Sequence, residues 1–569
     1  MESNIKQLTL LIKNAYVFDS ALCQFIKKDI AIMDDLIIDC DKHLEYLAKE
    51  VIDATGKYII PGLVDIHMHI ESSMTSPQAF YKKAVSWGTT TLVADPHEIA
   101  NVYGIDGIQA MISNAEALDI FFGIPSSVPS TSPQFETTGG MIDLGEVNEL
   151  LEDKKMICLG EVMNFKDLQM TDSKTKRLIK RCKEKRRDFL IEGHCPKLSG
   201  QELSFYLASG IDADHTQQTP ASILEKVSKG MFLEIQAKSI TKEIIATLVN
   251  NQLYDHFCFV TDDCMANHLQ DKGHLFEVVK KAVHCGMPLL KAIYCATLTP
   301  SRRMHLDDRG MLAPGKKADL IILDHLESLK VNCVYKNGKL ASMIKTPPCV
   351  FPEALYHSIK LEPLSKTDFL LPVLKGKKAL CNIISIHQDS NFTTHKQMVI
   401  DIVDGKLDYQ AKGLSLICVF ERYGKNHNRA YGLVEGTFTK SCAVASTWAH
   451  DHHNLMVMGN DENLMVKIAN EIIHKQGGYG ACCEQRLEMV HLNVGGIISD
   501  GPLETTATSL KQVTDILVDC GYVHMNPIMS FATLSLPVSP EIKITDCGLI
   551  IGKTQQIVPL VEEIYEYDD

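Results

Sequence analysis

Two histidines separated by one residue, His67 and His69, follow an apolar stretch at residues 59–66. Side chains two residues apart on a β-strand point to the same side, so both imidazoles can bind one metal ion. An isolated pair of this kind is usually a pair of packed or surface histidines. The apolar, strand-like run in front of the pair favours the metal interpretation here.

Four later apolar runs also end in an acidic residue or a histidine. These residues are Glu161, His194, His215 and Asp262. Each one alone can be explained as a helix cap or as a hydrogen-bonded loop residue. Together with the histidine pair they supply four imidazoles and two carboxylates, a set that suits two divalent transition metals bridged by a carboxylate. The pattern therefore predicts a binuclear metal centre.

Strand-like runs alternate with helical stretches through the first half of the chain. The runs lie at residues 59–66, 89–94, 120–124, 156–159, 189–191, 211–213, 231–235 and 256–260. Such alternation is typical of a parallel α/β fold, and eight units favour a (β/α)8 TIM-like barrel over an open doubly wound sheet. The carboxyl ends of barrel strands surround one cavity, so the six candidate ligands are expected to converge there.

Three domains are expected from the remaining patterns. Residues 1–58 and 305–345 are rich in short strands and could share a small composite β-domain, with the barrel at residues 59–304 between them. Prolines cluster near residues 346–363, and a C-terminal α/β domain is expected at residues 355–569. A length of 569 residues agrees with two to four domains.

Composition excludes several classes of protein. A net charge of −14 argues against a binder of nucleic acid or of anionic membranes. The N-terminal residues lack the pattern of a signal peptide, and we find no run long enough to span a membrane. The 18 cysteines are scattered, as expected for reduced thiols in the cytoplasm. A cytoplasmic protein without nucleic-acid or membrane partners is expected.

The zinc chemistry of one class of nucleobase deaminases is also excluded. That chemistry requires an HxE motif and a PCxxC motif. Here His97 and Glu98 are adjacent, and Cys349 has no second cysteine at the required spacing.

Longer stretches carry a resemblance to a known family. The order HxH, Glu, His, His, Asp resembles the amidohydrolase superfamily, with Glu161 in place of its bridging carbamylated lysine. HIESSM at 69–74, ADPHEIAN at 94–101, GEVMN at 160–164, TDD at 261–263, AHDHHN at 449–454 and GND at 459–461 resemble the adenine deaminase family. The resemblance spans nearly the whole chain, including the C-terminal domain that most amidohydrolases lack.

The resemblance implies a reaction, a cofactor and partners. The expected reaction is hydrolysis of adenine to hypoxanthine and ammonia in purine salvage or catabolism, with two manganese or iron ions held by the six residues named above. The partners would be a small molecule and water, and a homo-oligomer is expected.

Further residues receive roles in the expected reaction. Asp262 can accept a proton from the attacking water, and Glu71, His97 or Glu98 can protonate the ring; these three can equally be caps or loop scaffolding. The candidates for substrate binding are Ser72, Ser73, Glu98, Asp263, His450 and His453. Strand alternation predicts that Asp263 points away from the metals and holds His268, His274 or a backbone amide. Residues 450–454 are expected either near the barrel mouth or at the start of a helix.

Three positions depart from the family pattern and leave the substrate open. Thr216 stands where the family usually has glutamate, Gln236 where it has an Arg-Glu-Gly sequence, and Tyr423 where it has histidine. One alternative is a binuclear amidohydrolase for another purine or a cyclic amide. An alternative of another class is a catalytically silent metal-binding protein with a structural or regulatory role, although Asp262 would not be needed there.

Overall fold

The computed structural model describes residues 7–566. The chain begins with five strands: β1 (Leu8–Asp19), β2 (Gln24–Met33), β3 (Leu36–Asp41), β4 (Ala48–Asp53) and β5 (Tyr58–Pro61). β1 pairs antiparallel with β2 and parallel with β4 and β5. The first six and last three residues of the predicted terminal domains lie outside the described range.

Nine short parallel strands follow. They are β6 (Leu63–His69), β7 (Thr89–Ala94), β8 (Ile120–Ile124), β9 (Met156–Val162), β10 (Leu190–Gly193), β11 (Ala213–Asp214), β12 (Phe232–Ile235), β13 (Phe257–Phe259) and β14 (Asp262–Asp263). They form a six-stranded sheet in the order β10-β9-β8-β7-β6-β14 and a three-stranded sheet in the order β11-β12-β13. Since β14 follows β13 directly and pairs with β6, the last strands return to the first. The result is a strongly curled parallel arrangement.

Helices connect these strands. They are α1 (Pro77–Ser86), α2 (His97–Asn114), α3 (Leu144–Leu150), α4 (Phe165–Gln169), α5 (Lys174–Lys185), α6 (Gly200–Ala208), α7 (Pro220–Ser228), α8 (Lys242–Asn250), α9 (Ala266–Asp271), α10 (Leu275–His284) and α11 (Leu289–Arg303). Apolar side chains, among them Val64, Val93, Cys158 and Val260, form one buried cluster within this part of the chain. The strands are therefore buried on both faces, which explains their continuous apolar runs.

The first predicted strand, residues 59–66, is in fact divided between two sheets. Its start belongs to β5 and its end to β6. Gly62 lies between them, where a Cβ atom would stand 2.2 Å from Thr90 Oγ1. The backbone at position 62 passes so close to Thr90 that only glycine fits there. Because both strands are apolar, the sequence shows them as one continuous run.

The N-terminal strands are completed by a segment far away in the chain. β15 (Leu320–Leu323), β16 (Val331–Lys336) and β17 (Lys339–Leu340) follow α11. β15 pairs antiparallel with β5, giving the order β17-β16-β15-β5-β1-β2-β3 with β4 on β1. The two strand-rich patches therefore form one sheet, which flanks the curled parallel strands.

Up to residue 566, the C-terminal part of the chain contains a ten-stranded sheet, a separate three-stranded sheet and three α-helices. Its elements are β18 (Lys378–His387), β19 (Ser390–Val403), β20 (Lys406–Leu407), β21 (Ser415–Phe420), β22 (Arg429–Glu435), β23 (Ala443–Ser446), β24 (Leu455–Gly459), α12 (Glu462–His474), β25 (Gly478–Cys482), β26 (Leu487–His491), α13 (Leu503–Asp519), α14 (Pro527–Ala532), β27 (Ile542–Thr545), β28 (Gly548–Ile551), β29 (Gln556–Val558) and β30 (Val561–Tyr565). The order is β20-β19-β18-β22-β21-β24-β23-β25-β26, with β30 on β18, while β27, β28 and β29 form a separate sheet.

The C-terminal part packs directly on the parallel strands and their helices. Ile99 and Val102 of α2 share one buried apolar cluster with Trp448 and Val494 of the C-terminal part. Across residues 7–566, no helix is long and apolar enough to cross a membrane.

Candidate metal centre

The two histidines at the end of β6 face a common buried cluster. His69 Nε2 lies 3.4 Å from Glu161 Oε1 and 3.5 Å from Asp262 Oδ1. The His69 Nδ1 atom is 3.0 Å from the Asp95 carbonyl oxygen, to which it donates a hydrogen bond. This bond fixes the ring so that Nε2 points at the carboxylates, as in metal-binding histidines.

Glu161, at the end of β9, lies between two groups of imidazoles. Its Oε2 atom is 2.7 Å from His194 Nδ1 and 3.3 Å from His215 Nε2, while Oε1 faces His69. The Glu161 backbone N–H donates to Asp95 Oδ2 at 2.9 Å, which fixes the residue at the strand end. One carboxylate oxygen is thus presented to each histidine group, the arrangement that a bridging ligand requires.

The residues fit a pair of cations. Two sets of possible ligand atoms, His67/His69/Glu161 and Glu161/His194/His215, each lie within 4.8 Å of one another and share Glu161. His67 Nε2 and His215 Nδ1 are buried and have no hydrogen-bond partner among the described residues. A buried polar atom without a partner costs about 1–3 kcal/mol, a cost that a bound cation removes. The rings of His67 and His215 stack at 3.8 Å between centroids.

Asp262 reaches the same cluster through an unusual backbone conformation. Its φ angle is 59°, in the left-handed region that non-glycine residues rarely adopt. Strand alternation therefore fails at this point. Asp262 and Asp263 each place a carboxylate oxygen within 4.8 Å of a ring nitrogen of His69. The prediction that Asp263 points away from the metals is wrong for this reason.

The partner of Asp263 also differs from the expectation. Asp263 Oδ1 accepts a hydrogen bond from Ser72 Oγ at 2.6 Å. His274, one of its expected partners, contacts Thr89 Oγ1 at 2.9 Å instead. Asp263 therefore links β14 to the turn after β6, which places Ser72 at the rim of the centre.

Two acidic residues beside the centre have shifted pKa values. Burial alone would raise the pKa of Glu161, but the imidazoles of His215 and His194 hold it well below its ordinary value. Burial raises the pKa of Glu71 to about 7, and the carboxylate of Glu98 adds to this shift. Glu71 Oε1 accepts a hydrogen bond from the Ile99 N–H at 3.4 Å, whereas Oε2 has no partner among the described residues.

His97 and Ser73, the other two candidates near the turn after β6, are placed differently. His97 Nδ1 lies 3.7 Å from Glu161 Oε1, beside the metal cluster. The Ser73 hydroxyl donates to the Ile70 carbonyl at 2.6 Å and contacts Thr75 Oγ1. Ser73 thus stabilises its own turn, and the structure does not bring its hydroxyl to the centre.

The C-terminal part contributes histidines to this region. His450 Nδ1 lies 2.5 Å from Glu98 Oε1, and His453 Nε2 contacts Glu98 Oε2. Residues 450–452 form a turn that leads into β24, so the alternative of a helix start is wrong. Arg422, fully buried, donates to the carbonyl oxygens of His453 and Gly495 and so ties the histidine turn to a second turn of the C-terminal part.

Sequence reasoning missed three residues of the centre. Glu234 Oε2 of β12 lies 3.7 Å from His67 Nδ1, on the side of the ring away from Asp262. Lys238 Nζ lies 3.7 Å from Asp262 Oδ2, and the Trp448 indole N–H donates to the Glu71 carbonyl at 3.1 Å. Glu234 could have been found from the sequence, because it is an acidic residue inside the apolar run 231–235. Neither Lys238 nor Trp448 had a local signal.

Sequence models of two protein families match the chain. The amidohydrolase family matches residues 58–341, and the adenine deaminase C-terminal domain matches residues 390–556. Among solved structures, a β-aspartyl dipeptidase from Fervidobacterium islandicum AW-1 superposes on 59% of this chain and 96% of its own, with a TM-score of 0.46 and 18% identity. The two family models together cover the candidate ligands and the histidine turn.

Curated relatives match over almost the full length. An adenine deaminase from Clostridium perfringens is 48% identical over 97% of this chain and 100% of its own. An adenine deaminase 2 from Oenococcus oeni is 44% identical, over 97% and 98% of the two chains. An adenine deaminase from Petrotoga mobilis is 34% identical, over 97% of each. The chain belongs to the adenine deaminase family.

The three residues that depart from the adenine deaminase pattern form hydrogen bonds to residues near the centre. Gln236 Nε2 donates to the His215 carbonyl at 2.9 Å, and the Thr216 hydroxyl donates to Asp214. The Tyr423 hydroxyl donates to the His452 carbonyl at 2.6 Å. Gln236 and Tyr423 thus bond to backbone carbonyls and Thr216 to a side-chain carboxylate, and none of the three is a candidate ligand.

Proposed function

We propose that this chain hydrolyses adenine to hypoxanthine and ammonia at a centre of two divalent cations. The observation that carries the proposal is the convergence of the predicted ligands in a chain of the adenine deaminase family, with Glu161 between two histidine groups. The proposed ligands are His67, His69, Glu161, His194, His215 and Asp262.

The donor set of imidazoles and carboxylates suits manganese or iron. When bound, two such cations lower the pKa of a water molecule and supply hydroxide near neutral pH. Five of the six proposed ligands are buried, with His194 partly exposed, and the low exposure strengthens the electrostatic interactions at the centre.

Asp262 is the proposed proton acceptor. Its carboxylate faces the histidines, and Lys238 lies 3.7 Å from its outer oxygen. Burial would raise the pKa of Asp262, but Lys238, His69 and His215 hold it well below its ordinary value. The carboxylate is thus ionised before reaction, takes a proton from the attacking water and passes it to the departing amine.

The ring of adenine needs a proton donor as attack proceeds. Glu71, with its pKa raised to about 7 and one oxygen that has no partner within residues 7–566, can hold a proton near neutral pH. His97 and Glu98 stand beside it, and His450 and His453 orient Glu98. Ser72 and Asp263 lie at the rim of the centre and are also proposed to contact the substrate.

The fold is proposed to be a (β/α)8 barrel in which the six-stranded and three-stranded sheets together enclose the centre. The proposed domains are the composite sheet (1–58 and 305–345), the barrel (59–304) and the C-terminal domain (355–569). The first is supported by the sheet order β17-β16-β15-β5-β1-β2-β3, in which β5 carries the composite sheet three residues past the proposed boundary. A cytoplasmic location and a role in purine salvage agree with this reaction.

The test combines substrate selection with metal analysis. Purified protein is assayed for ammonia release from adenine, guanine and adenosine, and its manganese, iron and zinc contents are measured. We expect turnover of adenine alone and two equivalents of manganese or iron. Preference for guanine or adenosine would favour another purine as the substrate, and full metal content without turnover would favour a silent metal-binding protein.

A further inference from the structure

Three cysteines from distant parts of the chain lie close together, just before β23, just after β25 and at the end of α13. Ala443 of β23 pairs with Cys482 of β25, and continuing this antiparallel register places Cys442 opposite Cys483. Directly opposite residues in such a pair have Cβ atoms about 4.5–5.5 Å apart. All the cysteines involved are free thiols.

Cys520, at the end of α13, completes this thiol cluster of Cys442, Cys483 and Cys520. Its carbonyl accepts hydrogen bonds from the N–H groups of Thr439 and Lys440, at 2.9 and 3.3 Å, just before Cys442. An ion pair of 2.6 Å between Arg486 and Asp519 joins the turn after Cys483 to the same helix end. Cys442 and Cys520 belong to one buried apolar cluster, and Cys483 packs against the same cluster.

The three thiols differ in accessibility. Cys442 and Cys520 are buried, whereas Cys483 is partly exposed at the turn between β25 and β26. Burial raises the pKa of Cys483, but hydrogen bonds from the backbone of Gln485 and Arg486 and from the Arg486 side chain bring it below its ordinary value. A partly exposed thiol of lowered pKa beside a second thiol is the arrangement found in cysteines that form disulfides on oxidation.

We propose that Cys483 and Cys520 form an oxidation site in which a peroxide converts the two thiols into a disulfide. The Cys483 sulfur attacks one peroxide oxygen, the O–O bond breaks, and hydroxide leaves and becomes water by taking up a proton. The sulfenic acid of Cys483 is then attacked by Cys520, the S–O bond breaks, and a second water leaves with the thiol proton. The two thiols lose two electrons, which reduce hydrogen peroxide to two waters.

Cys442 has a positioning role in this site. Its buried thiol belongs to the same apolar cluster as Cys520, and the strand register places it opposite Cys483. The neighbouring Cys482 points to the other face of the sheet and donates to the Leu464 carbonyl at 3.3 Å. Cys482 therefore takes no part, although it is adjacent to Cys483 in the sequence.

The experiment uses the full-length, metal-loaded protein. One equivalent of hydrogen peroxide is added, free thiols are capped with iodoacetamide, and unreduced digests are analysed by mass spectrometry. We expect a linked pair of peptides containing Cys483 and Cys520. Without peroxide, Cys483 should react with iodoacetamide at neutral pH at least roughly tenfold faster than Cys285, another partly exposed cysteine.

Two variants separate the roles. Cys520→Ser should stop the reaction at the sulfenic acid of Cys483, which dimedone traps. Cys285→Ser is the matched control and should leave the linked pair unchanged.

Three results would overturn the proposal. One is oxidation of Cys285 with Cys483 untouched, and another is over-oxidation of Cys483 to the sulfinic acid with no linked pair. The third is an equivalent of zinc that is present in the purified protein and lost in Cys483→Ser, since this would make the cluster a site for a soft metal ion.

Discussion

The carboxylate of Glu98, on α2, contacts His453 Nε2 although 355 residues separate the two in the chain. Its other oxygen lies 2.5 Å from His450 Nδ1. Both oxygens of one buried carboxylate are therefore held by the C-terminal part of the molecule. Burial would raise the pKa of Glu98, but these two histidines hold it well below its ordinary value.

Replacing His453 by alanine tests this relationship. Without the imidazole, burial raises the pKa of Glu98, so the acid limb of the kcat/KM profile should move to higher pH. We expect kcat to fall roughly ten- to hundredfold with both metals retained, because a proton-transfer group loses its orientation. His474→Ala, at the exposed end of α12, is the control. An unchanged profile in His453→Ala, or full turnover by a chain ending near Lys345, would contradict the role.

Glu161→Gln tests the bridging position. A neutral amide cannot offset the repulsion between two cations, so the variant should retain about one metal ion or fewer and lose turnover. Metal content by mass spectrometry of the elements, measured beside ammonia release, is the readout. Glu152→Gln, a change at an exposed glutamate, should bind both ions. Full metal content and activity in Glu161→Gln would show that the glutamate does not bridge.

Asp262 and Asp263 are distinguished by a matched pair of asparagine variants. Asp262→Asn keeps the volume but removes the proton acceptor, so kcat should fall at least roughly a hundredfold. Asp263→Asn weakens the hydrogen bond from Ser72, and it should resemble Ser72→Ala, with a smaller loss. Steady-state kinetics decide the assignment. An active Asp262→Asn beside an inactive Asp263→Asn would reverse it.

Glu234 is expected to act through His67. Its carboxylate faces His67 Nδ1, and carboxylates in this position orient metal-binding histidines. Glu234→Gln should therefore weaken metal affinity about 10- to 100-fold. Competition with a chelator followed by metal analysis measures the change. Thr247→Ala, on the exposed side of α8, should not change the affinity, and equal affinities in Glu234→Gln and the parent would refute the role.

Asp119 supports a prediction on acid stability. It contacts Lys336 directly and lies 3.0 Å from Lys317 and 3.4 Å from Arg309. Burial would raise the pKa of Asp119, but these three cations hold it well below its ordinary value. Its stabilisation is therefore complete above the unfolded pKa of about 3.9 and is lost as the pH falls through the lower folded value.

Asp119→Asn should thus lower the free energy of unfolding by about 3 kcal/mol at neutral pH, because buried Lys336 loses a partner. The difference from the parent should shrink below about pH 4. Thermal unfolding at both pH values gives the readout, and Asp172→Asn, with a side chain that is 90% exposed, is the control. A constant difference across this range would mean that Asp119 does not supply the pH dependence.

The sequence by itself predicted the chemistry of the centre and the family. His67 and His69 are two residues apart on a strand, so the sequence predicts that they share one face of it. Glu161 and His215 each end a predicted strand, so the sequence predicts that they lie at the same end of the parallel strands. These are local periodicities, so they can be read without coordinates. The predicted family membership and the α/β class are confirmed, and the assignment of each ligand stays a prediction.

Tertiary structure alone decided how individual side chains are oriented and which distant segments are in contact. The left-handed backbone at Asp262 overrides strand alternation, so the orientation of Asp263 could not follow from spacing. The contact between Glu98 and His453 exists only because the C-terminal part docks on α2. The meeting of Cys483 with Cys520 depends on sheet register and on where α13 ends. Contacts between distant segments arise from the packing of whole elements, and no local pattern of residues records that packing.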